Sequence, residues 1–382
     1  MVFADTRREG PSSFSKLPSI RTDRGKTRLT NFCSSIALSA LVAFIAAATI
    51  TGLVRRHALR HFIIDIPNAR SSHTEPMPRG GGLAVCVVFL AVISVLGAIG
   101  WLPLRLVMAF SGGGLLVSVI GWIDDHHPIS ARWRAIVQLI AAIFALWCLG
   151  GLAQIDLGSA TVPLGWLGSV VGVIAIVWLI NLYNFMDGID GLAGIQTVCA
   201  AGMGAMLFAM KGYLGLSAVC ALLAAACAGF LVWNWAPAKI FMGDVGSYFL
   251  GYTFAVLAFL AESTAVFPAL VWCILLGTFV WDATFTLLRR VFAGETWYRP
   301  HRTHAYQRLV QLGFSHRQVA AGTLVANILF SWPLAYASVV YPGLLVPIVL
   351  FTAAIAWTVW FLVQRAYQRH TELPIDSRKS ST

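Results

Sequence analysis

Charge is scarce in this chain. Of its 382 residues, 11% are charged and 58% are hydrophobic, whereas a soluble domain carries about a quarter charged residues. A soluble globular fold is therefore excluded, and the mean hydropathy of +0.76 agrees. Cysteine is also sparse. All seven cysteines, at 33, 86, 148, 199, 220, 227 and 273, fall in apolar stretches. They read as small packing residues, and their spacing suggests neither a disulfide frame nor a zinc site. There is no internal repeat, no low-complexity tract and no long soluble insert. G-x-G-x-x-G is absent, and "GKT" at 25–27 lacks the glycine five positions earlier that a P-loop requires.

What the chain does have is apolar runs of about 18 to 23 residues, each long enough to cross a bilayer core as a helix. Eleven are expected, near 32–54, 82–101, 104–122, 133–151, 164–182, 192–210, 213–235, 245–261, 266–288, 318–340 and 342–363. The expected fold is all-α: a polytopic membrane bundle forming one domain over 32–364, between polar tails at 1–31 and 365–382. The first run is too long for a signal-peptide core and has no small-residue cleavage site.

The net charge of +11 suits juxtamembrane Lys and Arg that set topology, and it does not call for nucleic acid. With alternate loops on opposite sides, one set comprises 55–81, 123–132, 183–191, 236–244, 289–317 and the C-terminus. That set holds eighteen Lys and Arg, counting Arg134 at its edge, and the other holds only Arg105 and Lys211. The rich side is expected to be cytoplasmic. Eleven spans leave the N-terminal tail on the opposite side although it carries seven basic residues. The internal loops decide the assignment.

All nine histidines fall on the basic side, as do ten of the sixteen acids, the C-terminal tail included. Five stretches form that face. In "DIPNARSSHTEPMPRGGGLAV" (65–85), Gly80, Gly81 and Gly82 beside Arg79 form either an anion-binding loop or a turn into the next helix. In "GWIDDHHPISARWR" (121–134), adjacent Asp124 and Asp125 at a membrane helix end are costly unless they bind a cation or share a proton. Arg132 and Arg134 follow, while His126 and His127 read as solvated.

In "NLYNFMDGIDGLAG" (181–194), Asn181, Asn184, Asp187 and Asp190 recur at every third position. On a continuing helix they would share one side, and the glycines would let it loosen around a ligand. In "WAPAKIFMGDVGSYFLGY" (235–252), Asp244 is either a helix N-cap or a metal ligand. Phe241 is a lipid-interface aromatic or a stacking platform, and Lys239 a phosphate partner or a positive-inside residue. In "RRVFAGETWYRPHRTHAYQRL" (289–309), Arg299 and Arg302 can fork onto phosphate oxygens and His304 can donate to one. His301 and His304 lack the companions of a zinc site.

Carboxylates and carboxamides for a hard cation, with arginines and histidine for phosphates, point to phosphoryl transfer assisted by Mg²⁺. A secondary transporter is the rival reading, but its polar groups would lie near mid-span. Here Asp282 alone is deep.

The motifs "DDHHPIS", "NFMDGIDGLAG", "FMGDVGS" and "HRTHAYQRL", in that order, resemble the polyprenyl-phosphate N-acetylhexosamine-1-phosphate transferases. The bacterial O-antigen initiator branch looks closest. The resemblance covers about residues 35 to 365. It implies an enzyme of the bacterial inner membrane, with its site facing the cytoplasm, that transfers N-acetylhexosamine-1-phosphate from a UDP-sugar to undecaprenyl phosphate and releases UMP. It implies that Asp244 binds Mg²⁺ (with Mn²⁺ as a substitute), alongside Asn184 or Asp187. Asp190 would hydrogen-bond uracil with Phe241 stacked on the ring. Asp124 and Asp125 would serve the lipid phosphate, the metal or a base role, and Arg302 and His304 the donor diphosphate. Arg134 replaces the lysine of the translocase branch, and His304-Ala305-Tyr306 replaces its three histidines, which favours a simple N-acetylhexosamine. A homodimer is compatible with the sequence.

Overall fold

The computed structural model describes residues 25–67, 75–295 and 301–372, with side chains from Ser34 onward. The described chain is almost wholly helical. A backbone in lipid has no water to bond with and must satisfy its own N–H and C=O groups. The helices are α1 (Gly25–Arg60), α2 (Gly82–Ala98), α3 (Leu104–Met108), α4 (Gly114–His126), α5 (Ala131–Leu149), α6 (Trp166–Met186), α7 (Leu192–Met210) and α8 (Leu214–Asn234). They continue with α9 (Asp244–Ser263), α10 (Leu270–Leu275), α11 (Gly277–Phe292), α12 (Ala305–Gln311), α13 (His316–Ala326), α14 (Trp332–Val340) and α15 (Leu345–Glu372). A π-helical turn joins α3 to α4 and another joins α13 to α14, so each pair forms one span.

Among the described residues, nine spans are long and apolar enough to cross a membrane. The other two expected spans fall on the 17-residue α2 and on the α10–α11 pair, which is interrupted at Leu276; neither is a single helix of that length. The ends differ from expectation. α15 runs on to Glu372, past the boundary set at 365, because after Pro347 in its first turn no Pro or Gly interrupts it and basic residues in its last turn favour a helix C-terminus. α1 begins at Gly25, ahead of 32. Residues 1–24 of the basic N-terminal tail lie outside the described residues.

α9 is the axis of the bundle. Seventeen of its residues are buried, and it packs against α2, α4, α5 and α6. Glycines permit the close approach, as small residues do between membrane helices. A Cβ on Gly121 of α4 would lie 2.5 Å from the Asp244 carbonyl oxygen, and one on Gly251 would lie 2.5 Å from the Leu179 oxygen. α7, α8 and α1 form a layer beside this axis, while α1 and α15 expose most of their apolar side chains, as lipid-facing helices do.

At the far end of α9, Glu262 is buried and its carboxylate accepts the Asp156 and Ala269 N–H groups, each at 2.6 Å. It thereby ties the antiparallel β1 (Gln154–Asp156) and β2 (Thr161–Pro163) to the entry of α10. α9 is about 30 Å long at 1.5 Å per residue, so Glu262 stands far from the Asp244 end. Glu262→Ala should orphan two backbone donors, a cost of about 1–3 kcal/mol. The expected result is a lower thermal midpoint in detergent with turnover per folded molecule unchanged; a matching loss of turnover would contradict this separation.

Candidate active site

The N-terminus of α9 meets the ends of α4 and α6 at one membrane face. Gly243 is the N-cap and Asp244 the first residue of α9, and no side chain caps it locally. The cap comes from another helix: Asp125 Oδ1 accepts the Asp244 N–H at 3.0 Å, and Asp125 Oδ2 the Val245 N–H at 3.2 Å. The N-cap reading of Asp244 is thus replaced. Asp125 does that work and leaves the Asp244 side chain free to turn inward. Gly243 adopts φ +77°, and a Cβ there would collide with the Asp125 carboxylate.

Asp124 faces away from its neighbour. It accepts the Ile129 N–H and the Arg134 guanidinium, both at 2.7 Å, bridging the α4–α5 turn. Arg134 also reaches the Tyr248 hydroxyl at 3.4 Å. Arg79 Nε lies 3.9 Å from Asp125.

The row in "NLYNFMDGIDGLAG" does not stay on one helix. α6 ends at Met186 with Asp187 as its C-cap, and Gly191 turns the chain at φ +75° into α7. Asn184 Nδ2 donates to Asp244 Oδ1 at 2.7 Å and to Ser247 Oγ at 2.9 Å, so its oxygen is the atom left for a ligand. Asn181 turns elsewhere, donating to Gln138 Oε1 and to the Val177 carbonyl. The Asp187 carboxyl makes no side-chain hydrogen bond among the described residues. Burial pushes its pKa well above the usual carboxylate range, and the charges of Asp244, Asp125 and Asp190 add to the effect. Asp190 accepts the Ala238 N–H at 3.0 Å and lies 3.3 Å from His316 Nδ1.

These groups open on one cavity of about 850 Å³, whose lining includes Arg79, Asp125, Arg134, Asn184, Asp187, Asp190, Phe241, Asp244 and His304. Asp124 and Arg302 are not on its wall, and Arg299 lies outside the described residues. Gly81 and Gly82 are not an anion loop: their N–H groups donate to the Phe241 and Met242 carbonyls at 2.9 and 2.8 Å. They are small because a Cβ on Gly82 would meet the Gly246 backbone. Lys239 stands over the Trp233 ring and away from the cavity.

His316, Tyr306, Gln138 and Asp282 escaped sequence reasoning as site residues. His316 and Tyr306 line the cavity, and Tyr306 donates to the Phe185 carbonyl at 2.8 Å. Both lie within the basic 289–317 loop, Tyr306 in the HRTHAYQRL motif itself, and that was their signal. Beyond these polar groups the wall turns apolar, through Leu139, Val173, Ile174, Val177, Trp178 and Leu287.

Among the described residues, the ion pairs to this carboxylate group are Arg79–Asp125 and Arg134–Asp124, with the His316 ring beside Asp190, and none of these basic side chains pairs with Asp187 or Asp244. The centre therefore gathers hard oxygen donors at Asp187 and Asp244 with no basic side chain paired to them among the described residues. No three His, Cys, Asp or Glu side chains among the described residues form a ready metal cage.

The family profile described as Glycosyl transferase family 4 matches residues 107–262, which contain three of the four motifs. A Bacillus subtilis protein named "Probable undecaprenyl-phosphate N-acetylglucosaminyl 1-phosphate transferase" is 31% identical, over 78% of this chain and 83% of its own length. The chain belongs to the polyprenyl-phosphate N-acetylhexosamine-1-phosphate transferase family. Two other members are similar at the same level. The "Decaprenyl-phosphate N-acetylglucosaminephosphotransferase" of Mycobacterium tuberculosis is 31% identical over 74% of this chain and 78% of its own. The "Undecaprenyl-phosphate alpha-N-acetylglucosaminyl 1-phosphate transferase" of Salmonella typhi is 30% identical over 77% and 82%. Membership in this transferase family sets aside the transporter reading.

The cap on α9 makes a measurable demand. Asp125→Ala should strip two N–H groups of their acceptor and lower the thermal midpoint, at a cost of about 1–3 kcal/mol. Asp125→Asn keeps one acceptor oxygen and should lose less. Equal midpoints for the two variants and the parent protein would contradict the capping role.

Proposed function

We propose that this protein transfers N-acetylhexosamine-1-phosphate from a UDP-sugar to undecaprenyl phosphate, releasing UMP and forming undecaprenyl-diphospho-sugar. The observation that carries this reading is the divided cavity, with carboxylates and amides at one end and an apolar wall from α5 and α6 at the other. A sugar nucleotide and a polyprenyl chain differ so much in polarity that a site for both needs these two environments. The names of the relatives favour UDP-N-acetylglucosamine as the donor. The excess of basic residues in these loops favours a cytoplasmic site by the positive-inside rule, in the inner membrane of a bacterium. The product then begins a lipid-linked surface glycan, O-antigen in the initiator reading.

A Mg²⁺ ion fits the donor set. Asp187 and Asp244 offer carboxylates without an ion-pair partner among the described residues, and Asn184 offers an amide oxygen. The incomplete protein shell is what Mg²⁺ prefers, since it keeps waters and shares substrate phosphates. When bound, it neutralises charge on the donor diphosphate. In the transfer itself, a lipid phosphate oxygen forms a bond to the β-phosphorus, and the bond from that phosphorus to the bridging oxygen of UMP breaks. Arg79, Arg134 and His304 stand on the cavity wall to bind phosphate oxygens. Asp190 orients the uracil, with Phe241 as its stacking surface. The apolar wall holds the start of the polyprenyl chain and excludes water.

The direct test supplies undecaprenyl phosphate, Mg²⁺ and a panel of UDP-sugars to the purified protein and measures UMP and lipid-linked sugar. No UMP release with any UDP-N-acetylhexosamine would sink the reading.

Two variants refine it. Asp244→Asn keeps an acceptor for Asn184 and should accumulate normally, yet turnover should fall by orders of magnitude at ordinary Mg²⁺. Near-full turnover with an unshifted Mg²⁺ dependence would remove Asp244 from the metal site. Phe241→Ala should raise the KM for the UDP-sugar with little change in kcat, reflecting loss of a stack worth about 1–3 kcal/mol by analogy with base stacking. Collapsed kcat at constant KM would mark a structural role instead.

A further inference from the structure

We propose that Asp282 is a positioning residue for the transfer and acts through His304. This rests on the reading of His304 as a group that faces the donor diphosphate. Asp282 lies within α11, in the segment expected to form the ninth span, and is 9% exposed. A carboxylate so placed is costly unless donors surround it. Here they do: Oδ1 accepts the Ala305 N–H at 2.8 Å and the Thr286 hydroxyl at 3.1 Å, and Oδ2 accepts the Tyr306 N–H at 3.2 Å. Ala305 and Tyr306 are the first residues of α12, a seven-residue helix too short to stand without tertiary support. Asp282 is that support, and Trp360 of α15 braces it by donating to Thr286 Oγ1 at 2.9 Å.

His304 immediately precedes α12, lines the cavity and is 3% exposed. Its Nδ1 lies 3.6 Å from Asp282 Oδ1, and its side chain also faces the Gln307 backbone N–H in a capping box. A carboxylate oxygen accepts, so in this proposal the ring nitrogen facing it carries the proton, and Nε2 is the nitrogen that serves a ligand. Catalytic hydrogen bonds are often long in the absence of substrate and shorten in the Michaelis complex. The same short helix carries Tyr306, whose hydroxyl fastens it to the Phe185 carbonyl, two residues before Asp187. One buried carboxylate therefore fixes both where the histidine stands and which of its nitrogens is turned to the substrate. The other groups around the imidazole are His301, with ring centroids 4.9 Å apart, and Tyr306, at 5.8 Å.

The test combines a double-mutant cycle with nitrogen NMR of histidine-labelled protein in detergent. Asp282→Asn should lower kcat about 10- to 100-fold, by analogy with carboxylates that orient metal-bound histidines. On a His304→Ala background the same change should cost less than about twofold more, because the two residues act as one unit. The His304 ring, identified by the signal that His304→Ala removes, should report the Nδ1–H tautomer in the parent protein and shift in Asp282→Asn. Multiplied losses in the cycle, a fully active His304→Ala, or an unshifted ring signal would each overturn the proposal. If Asp282→Asn fails to accumulate, Asp282→Glu keeps the charge, displaces it by one methylene and is read in the same two ways. A parent protein that releases no UMP would sink the transferase reading instead, and the ring signal alone would then decide the pairing.

Discussion

The site depends on one interaction: the Asp125 carboxylate accepting the first two N–H groups of α9. A helix N-terminus inside a membrane protein presents donors that must be satisfied, and its dipole favours a negative partner. By supplying that partner from α4, the protein locks two helices at a fixed depth. It also relieves Asp244 of capping its own helix. The close packing at Gly121 and Gly82 follows from this junction, since a Cβ at either would press on the backbone of the first turn of α9.

The same device recurs twice. Asp282 accepts the first N–H groups of α12, and Glu262 accepts two N–H groups at the opposite end of the bundle. In each case an acidic side chain in an apolar helix is buried and matched to backbone donors that would otherwise be orphaned. Carboxylates in this fold thus divide into anchors, which are saturated with hydrogen bonds, and Asp187 and Asp244, which have no cation beside them among the described residues. That contrast makes the cavity wall chemically available while the surrounding frame stays rigid.

Much of the site was legible in the sequence because polarity is so rare in this chain. Asp125, Asn184, Asp187, Asp190, Phe241, Arg79, Arg134, His304 and Asp244 were all conspicuous, and all line one cavity. Adjacent residues were harder to separate. Asp124 and Asp125 look equivalent in sequence, yet successive helix positions point about 100° apart, so one pairs with Arg134 and the other with α9. The glycine triplet at 80–82 suggested an anion loop, because a glycine needed for close backbone packing and one needed for a ligand have the same side chain.

Composition and the length of the apolar runs, by themselves, determined an all-α membrane bundle, since lipid forces the backbone to bond within its own helices. The ordered motifs likewise determined the family. Only the tertiary structure decided which acids are anchors and which keep their carboxylates unpaired with a basic side chain, that His316 and Asp282 stand beside Asp190 and His304, and that the Asn-Asp row leaves its helix at Met186. Those outcomes depend on which backbone donors and side chains from distant segments arrive within 3 to 4 Å of each carboxylate, and nothing in the local sequence records that.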